Sequence, residues 1–172
     1  MTQHLAVLKD PHHNLIPVRL GFVIMAHKDP PAVMQLLGLI YRPQHSYVIH
    51  VDARQSEIRN TLTSLLAKLM PGASNIRVLV ASRSFVASWG SFNIVRAELE
   101  SFEELLRMAP WDFGVKLSGA DMPIRDIDDL AAALAPYRGY SFVPLFGQRN
   151  KDMNADQGLV WDIWYEKLYW YH

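Results

Sequence analysis

The residues best suited to chemistry lie in a few short polar segments: His27-Lys28-Asp29, His50-Val51-Asp52, Ser82-Arg83-Ser84 and Ser118-Gly119-Ala120-Asp121. A carboxylate such as Asp52 can accept hydrogen bonds from a ribose hydroxyl or a base N–H. It can equally cap a turn ahead of Arg54. His27 can donate to a phosphate or sugar, or satisfy a local carbonyl. The small residues at 118 to 120 leave room for a ligand close to the backbone. Asp121 then either reaches that ligand or closes an Asx turn. Ala87-Ser88-Trp89-Gly90-Ser91 reads as a helix opening. Helix N-terminal N–H groups attract anions, and Trp89 can wall a flat ring or fill the core. In Gln148-Arg149-Asn150-Lys151-Asp152, Arg149 and Lys151 can meet a diphosphate or belong to a solvated turn.

The elements that must position these segments follow from hydrophobic period. Leu20 to Ala26 is a continuous apolar run, the pattern of a strand buried on both faces. Pro30 and Pro31 start a helix whose apolar stripe is Val33, Leu36, Leu37, Ile40 and Tyr41, and Pro43 closes it. Ser46 to Val51 is a second strand. Ile58, Leu62, Leu65, Leu66 and Leu69 mark a second helix, ended by Pro71 and Gly72. Ile76 to Ala81 reads as a third strand. The longest helix is predicted from about Trp89 to Ala109, with Phe92, Val95, Leu99, Phe102 and Leu106 buried and Glu98, Glu100, Glu103 and Glu104 toward water. Phe113 to Leu117 is a fourth strand. Pro123 leads into a short helix over Ile127, Leu130, Ala131 and Leu134, with Asp126 as its N-cap, and Ser141 to Leu145 is a fifth strand. Alternating strands and helices at this spacing imply right-handed βαβ crossovers and a mostly parallel, Rossmann-type sheet covered on both faces. Ligands of such sheets bind beyond the carboxyl ends of the strands, where the polar segments fall.

Composition removes several function classes. Seventeen basic residues balance seventeen acidic ones, which argues against a nucleic-acid partner. No cysteine means no disulfide, thiolate zinc site or thiol nucleophile. No G-x-G-x-x-G follows the first strand, and neither a P-loop nor a G-x-S-x-G elbow occurs. The histidines lack a metal-ligand spacing such as H-E-x-x-H. The most apolar uncharged run, Pro30 to Tyr41, is too short for a transmembrane segment, and Met1 to Pro17 lacks a signal-peptide pattern. Residues 1–18 read as a flexible arm and residues 19–172 as one α/β domain, soluble as written. Six of the nineteen aromatic residues crowd into the last twelve positions, between Trp161 and Tyr171.

Taken in order, the segments carry a resemblance. Phe22-Val23-Ile24-Met25-Ala26-His27-Lys28, Ile40-Tyr41-Arg42-Pro43-Gln44, Tyr47-Val48-Ile49-His50-Val51-Asp52, Ala87-Ser88-Trp89-Gly90, Trp111-Asp112-Phe113 and Leu117-Ser118-Gly119-Ala120-Asp121-Met122-Pro123-Ile124-Arg125 follow one another. This series resembles the core-2/I-branching glycosyltransferase family, which includes β-1,6-N-acetylglucosaminyltransferases and peptide O-xylosyltransferases. It covers roughly Arg19 to Tyr165. Gly147 to Lys151 and Gln157-Gly158-Leu159 look closer to the xylosyltransferase branch.

The resemblance implies a GT-A-like domain that binds a UDP-sugar. It implies an inverting, metal-independent transfer of xylose or N-acetylglucosamine to a hydroxyl of a protein or glycan acceptor. The second strand ends in His-Val-Asp-Ala-Arg, without the Asp-x-Asp that would hold a metal. By motif position, Ala26, His27, Val51 and Asp52 would face the uridine. Trp89 and Gly90 would line the same side, and Asp121 would lie near the donor sugar. In the family the catalytic carboxylate and the diphosphate-binding basic residues lie further downstream, so no catalytic base is assigned here. The expectation is a domain incomplete at its C-terminus, whose terminal aromatic residues await a covering segment. A cytoplasmic bacterial protein fits the absence of an anchor, whereas eukaryotic members of the family are Golgi membrane proteins. Two other readings stay open: a non-catalytic UDP-sugar-binding fragment, and a flavodoxin-like interaction domain without a ligand.

Overall fold

The computed structural model describes residues 16–80, 83–86 and 91–142. Four strands, β1 (Leu20–Ala26), β2 (Ser46–Val51), β3 (Ile76–Val78) and β4 (Phe113–Ser118), form one sheet in the order β3-β2-β1-β4. Every pairing is parallel. Phe22 lies opposite Tyr47 on one side and Val115 on the other. The helices are α1 (Pro30–Ile40), α2 (Ser56–Leu69), α3 (Phe92–Met108) and α4 (Ile127–Leu134). The architecture is the expected α/β one, a mostly parallel sheet with helices on both faces.

Strand alternation sorts the core into two layers. Phe22, Ile24, Tyr47, Ile49 and Val51 pack with Leu36, Leu37 and Ile40 of α1, Leu62 of α2 and Ile127 and Ala131 of α4. Val23 and Val48 point the other way, with Leu105 and Phe102 of α3 and Trp111. Helix α1 starts where Pro30 and Pro31 follow Asp29, whose carboxylate accepts the Ala32 N–H at 3.1 Å. The end of α1 is tied to the next layer by Tyr47. Its buried hydroxyl donates to the Ile40 carbonyl at 2.8 Å and accepts the Arg42 N–H at 2.7 Å. The Arg42 guanidinium reaches Asp126 and Asp128 at the start of α4. Asp112 accepts from the Arg19 amide at 2.8 Å and from the Arg138 guanidinium at 2.9 Å. The Tyr-Arg-Pro and Trp-Asp-Phe segments therefore carry clasps between elements.

Four sequence expectations change. Helix α3 is rotated from the predicted orientation: Ala97, Ser101, Glu104 and Leu105 are buried, whereas Phe92, Val95, Leu99 and Leu106 are 43 to 66% exposed. Small Ala97 and Ser101 let the helix approach the sheet. Glu104, 5% exposed, is held by Arg77 of β3 and by Arg83. Two charge-assisted hydrogen bonds make that burial tolerable. Strand β3 ends at Val78 instead of Ala81, because the Arg59 guanidinium takes the Leu79 carbonyl at 3.2 Å. The chain from Pro123 is not yet helical, and α4 opens only at Asp126, its expected N-cap, which accepts the Asp128 N–H at 2.7 Å. Ser141 and Phe142 are irregular, and the rest of the expected fifth strand lies outside the described residues.

Candidate nucleotide-sugar site at the strand ends

Helices α1 and α3 cover opposite faces of the sheet. The β1-α1-β2 and β3-α3-β4 connections therefore diverge on either side of β1, and the strand order reverses between the carboxyl ends of β1 and β4. This is the usual ligand position in such a sheet. The two strands stay in register one residue past the ladder, where the Gly119 N–H donates to the Met25 carbonyl at 2.9 Å. A Cβ on Gly119 would stand 2.9 Å from Val33 Cγ2 and 3.8 Å from Ala26 Cα. Glycine is required there for the β4 loop to close over β1. On the other flank the Asp52 N–H donates to the Ala26 carbonyl at 3.2 Å. Ala26, His27, Asp52 and the Ser118–Asp121 loop thus gather along one rim.

The carboxylates on this rim are already engaged. Asp52 is 3% exposed, and its two oxygens accept Arg54 Nε and Nη2 at 3.0 Å each. Its Oδ1 also accepts the Arg54 N–H at 2.9 Å. Asp52 therefore caps a turn and orients Arg54, whose guanidinium is more than half exposed. That bonding holds Arg54 above the usual guanidinium range. Asp121 does not form the expected Asx turn; its carboxylate folds back on its own loop and accepts the Ser118 N–H, three residues upstream, at 2.7 Å. Its side chain is exposed at the mouth, as is His27. Val51 differs: its side chain is in the core, and its carbonyl accepts Arg59 Nη2 at 3.1 Å. Trp89, Gly90, Arg149 and Lys151 lie outside the described residues.

The His50-Val51-Asp52 and Ser82-Arg83-Ser84 segments were placed at strand ends from sequence, but no role was given there to His50, and Arg59 and Phe85 were passed over. Arg59 joins the ends of β2 and β3 by bonding the Val51 and Leu79 carbonyls, and reaches Ser84 Oγ at 2.9 Å. The Phe85 N–H donates to His50 Nε2 at 3.1 Å, and the Phe85 carbonyl accepts the Ala53 N–H at 3.0 Å. Burial pushes the His50 imidazole below its usual range, Asp52 opposing and Arg59 reinforcing the shift. The available signal was His50 itself, a polar residue with apolar neighbours on a buried strand.

The four acidic residues of α3 are all in ion pairs: Glu98 with Lys116, Glu100 with Arg83, Glu103 with Arg107, and Glu104 with Arg77 and Arg83. Among the described residues no group of three or more His, Asp or Glu is placed to hold a metal ion. No helix there is long and apolar enough to cross a membrane.

The Core-2/I-Branching enzyme family matches residues 20–157, spanning all four strands and the rim. The chain belongs to that family. Among curated relatives of this branching-enzyme chain, "Xylosyltransferase 1" of Homo sapiens is 34% identical over 146 residues, 83% of this chain and 15% of the relative. The Rattus norvegicus protein of the same name is 34% identical over 146 residues, covering 83% of this chain and 17% of the relative. "Xylosyltransferase oxt" of Drosophila melanogaster is 33% identical over 144 residues, covering 83% and 16%. The branching-enzyme chain thus spans under a fifth of the length of these relatives, and their similarity supports the xylosyltransferase branch.

Proposed function

We propose that this chain binds the UDP moiety of a nucleotide sugar at the carboxyl ends of β1, β2 and β4. It would serve as the donor-binding part of a glycosyltransferase acting on a hydroxyl of a protein or glycan. The observation that carries the reading is the convergence of Ala26, His27, Asp52 and the Gly119 loop on one strand-end rim, within a chain of the branching-enzyme family. The names of the relatives favour xylose as the sugar, with N-acetylglucosamine the alternative.

The chemistry would be an inverting displacement. A carboxylate takes the acceptor proton, the freed oxygen attacks the anomeric carbon, and UDP leaves from the opposite side. The acidic residues of α3 are poor candidates for that base, since each already faces a cation. A metal-independent mode is supported by the donor set. Where an Asp-x-Asp would place a second carboxylate stands Arg54, and its guanidinium already neutralises Asp52. Arg54 and Lys28 supply positive charge at the mouth for the leaving diphosphate.

Titration calorimetry with UDP, in magnesium and again in EDTA, tests this reading. Equal affinity in both buffers, and a fall of about 10-fold or more in Asp52→Ala, is the expected outcome, because Arg54 loses the carboxylate that holds it at the mouth. Absence of heat at millimolar UDP would defeat the nucleotide reading. Release of UDP from UDP-xylose or UDP-N-acetylglucosamine in the presence of an acceptor then separates a transferase from a binding module.

A further inference from the structure

The Arg83–Val86 loop is strapped to the end of β2 through both backbone groups of Phe85. Its N–H rests on His50 Nε2 at 3.1 Å, and its carbonyl receives the Ala53 N–H at 3.0 Å. Ala53 stands between Asp52 and Arg54, so the strap also fixes the turn that aims both side chains at the rim. Arg59 holds Ser84 at 2.9 Å, and the Arg96 guanidinium lies 4.9 Å from the centre of the Phe85 ring. His50 is 1% exposed, with Met25 of β1 as its cross-strand neighbour. An imidazole accepts at Nε2 only when it is neutral with its proton on Nδ1.

We propose that His50 is a positioning residue for the donor site: its neutral imidazole holds the Arg83–Val86 loop and, through Phe85 and Ala53, the Asp52–Arg54 turn in the geometry that UDP requires. This rests on the UDP reading above. Protonation would set an N–H of the ring against the Phe85 N–H, two donors with no acceptor between them, and the strap would open. The charged groups acting on the ring are Asp52, just past the end of its strand, and Arg59 from α2; the strapped loop itself carries Arg83, paired with Glu100 and Glu104 of α3, and faces Arg96 of α3 through Phe85. Burial holds the imidazole neutral below the usual histidine value of 6.5. The strap is therefore intact at neutral pH and is lost as pH falls through that lower native value.

The test uses the full chain as wild type, His50→Gln and His50→Leu. Glutamine keeps an acceptor oxygen, and leucine has none. Two readouts are taken: hydrogen exchange at the Phe85 amide, and UDP affinity between about pH 8 and pH 5, the range around an ordinary histidine pKa. In His50→Leu, Phe85 exchange should rise and UDP affinity fall, each by about 10-fold; His50→Gln should restore both. The ratio of wild-type to His50→Gln affinity should drop on acidification, because only the wild type loses its acceptor; this comparison also cancels titration of the ligand. It serves even if His50→Leu does not fold. A ratio that stays constant with pH, or a folded His50→Leu with wild-type exchange and affinity, would overturn the proposal. If the wild type binds no UDP at any pH, the nucleotide reading falls; exchange at Phe85 then reports on the strap alone.

Discussion

Glu104→Gln decides which face of α3 meets the sheet, and so what holds the loop beside the strand-end rim. Glu104 is 5% exposed and accepts from Arg77 and Arg83; Arg107 Nη1 is a further 3.6 Å away. Burial pushes its carboxyl upward, but the hydrogen bonds and charges of Arg77 and Arg83 prevail, and the net shift is downward. Glutamine keeps the shape and loses the charge. A hydrogen bond to a charged group contributes about 1.5–3 kcal/mol when shielded. Here Arg77 is half exposed and Arg83 retains Glu100, so water and a second carboxylate offset much of the loss. The expected cost at pH 7 is about 1–2 kcal/mol, a fall of about 3–6 °C in Tm for a chain of this size. Urea unfolding and thermal unfolding both measure it. The native carboxyl titrates below its ordinary 4.5, so its contribution is whole above that value and is lost as pH falls through the lower native one. The gap between wild type and variant should therefore close on acidification below pH 4.5. A solvent-facing Glu104, as simple amphipathicity predicts for α3, would cost under about 0.5 kcal/mol. That result at pH 7 would refute the packing described.

Three further outcomes follow. Gly119→Val should lower stability by about 1–3 kcal/mol and weaken UDP binding, because a Cβ there meets Val33 at 2.9 Å; urea unfolding and calorimetry read the two effects. Tyr47→Phe should cost about 1–2 kcal/mol in urea unfolding, since the Ile40 carbonyl and Arg42 N–H both lose their partner. His45 is buried, accepts the Leu20 N–H at Nδ1 and is pushed below 6.5 by that burial. Its contribution is whole above 6.5 and disappears as pH falls through the lower native value. His45→Asn, which keeps an acceptor near Nδ1, should flatten part of the acid limb of the stability curve.

Periodicity and strand composition made most of the fold legible. Leu20–Ala26 and Ser46–Val51 are strands buried on both sides, and such runs have few alternatives once Pro30, Pro43, Pro71 and Gly72 punctuate them. The orientation of α3 was not legible, because its apolar stripe is regular and the deciding partners, Arg77 and Arg83, are separate in sequence. The end of β3 was hidden for the same reason: Arg59 competes for the Leu79 carbonyl from another element. At the rim, Asp52 and Asp121 could be placed from strand-end position; Asp52 makes the expected turn to Arg54, whereas Asp121 bonds back to Ser118. His50 could be placed at the end of β2, but its role could not be read, and Arg59 was not recognisable as a rim residue, since both act on groups of a distant loop.

The central claim, UDP binding at the carboxyl ends of β1, β2 and β4, is tested most directly by following the backbone amide resonances of the labelled chain during a UDP titration. The account predicts saturable shifts centred on Ala26, His27, Asp52, Ala53, Gly119 and Asp121, weakened together in Asp52→Ala. Shifts confined to the depression between Leu66 and Ser74, at the opposite ends of the strands, or none at millimolar UDP, would contradict it.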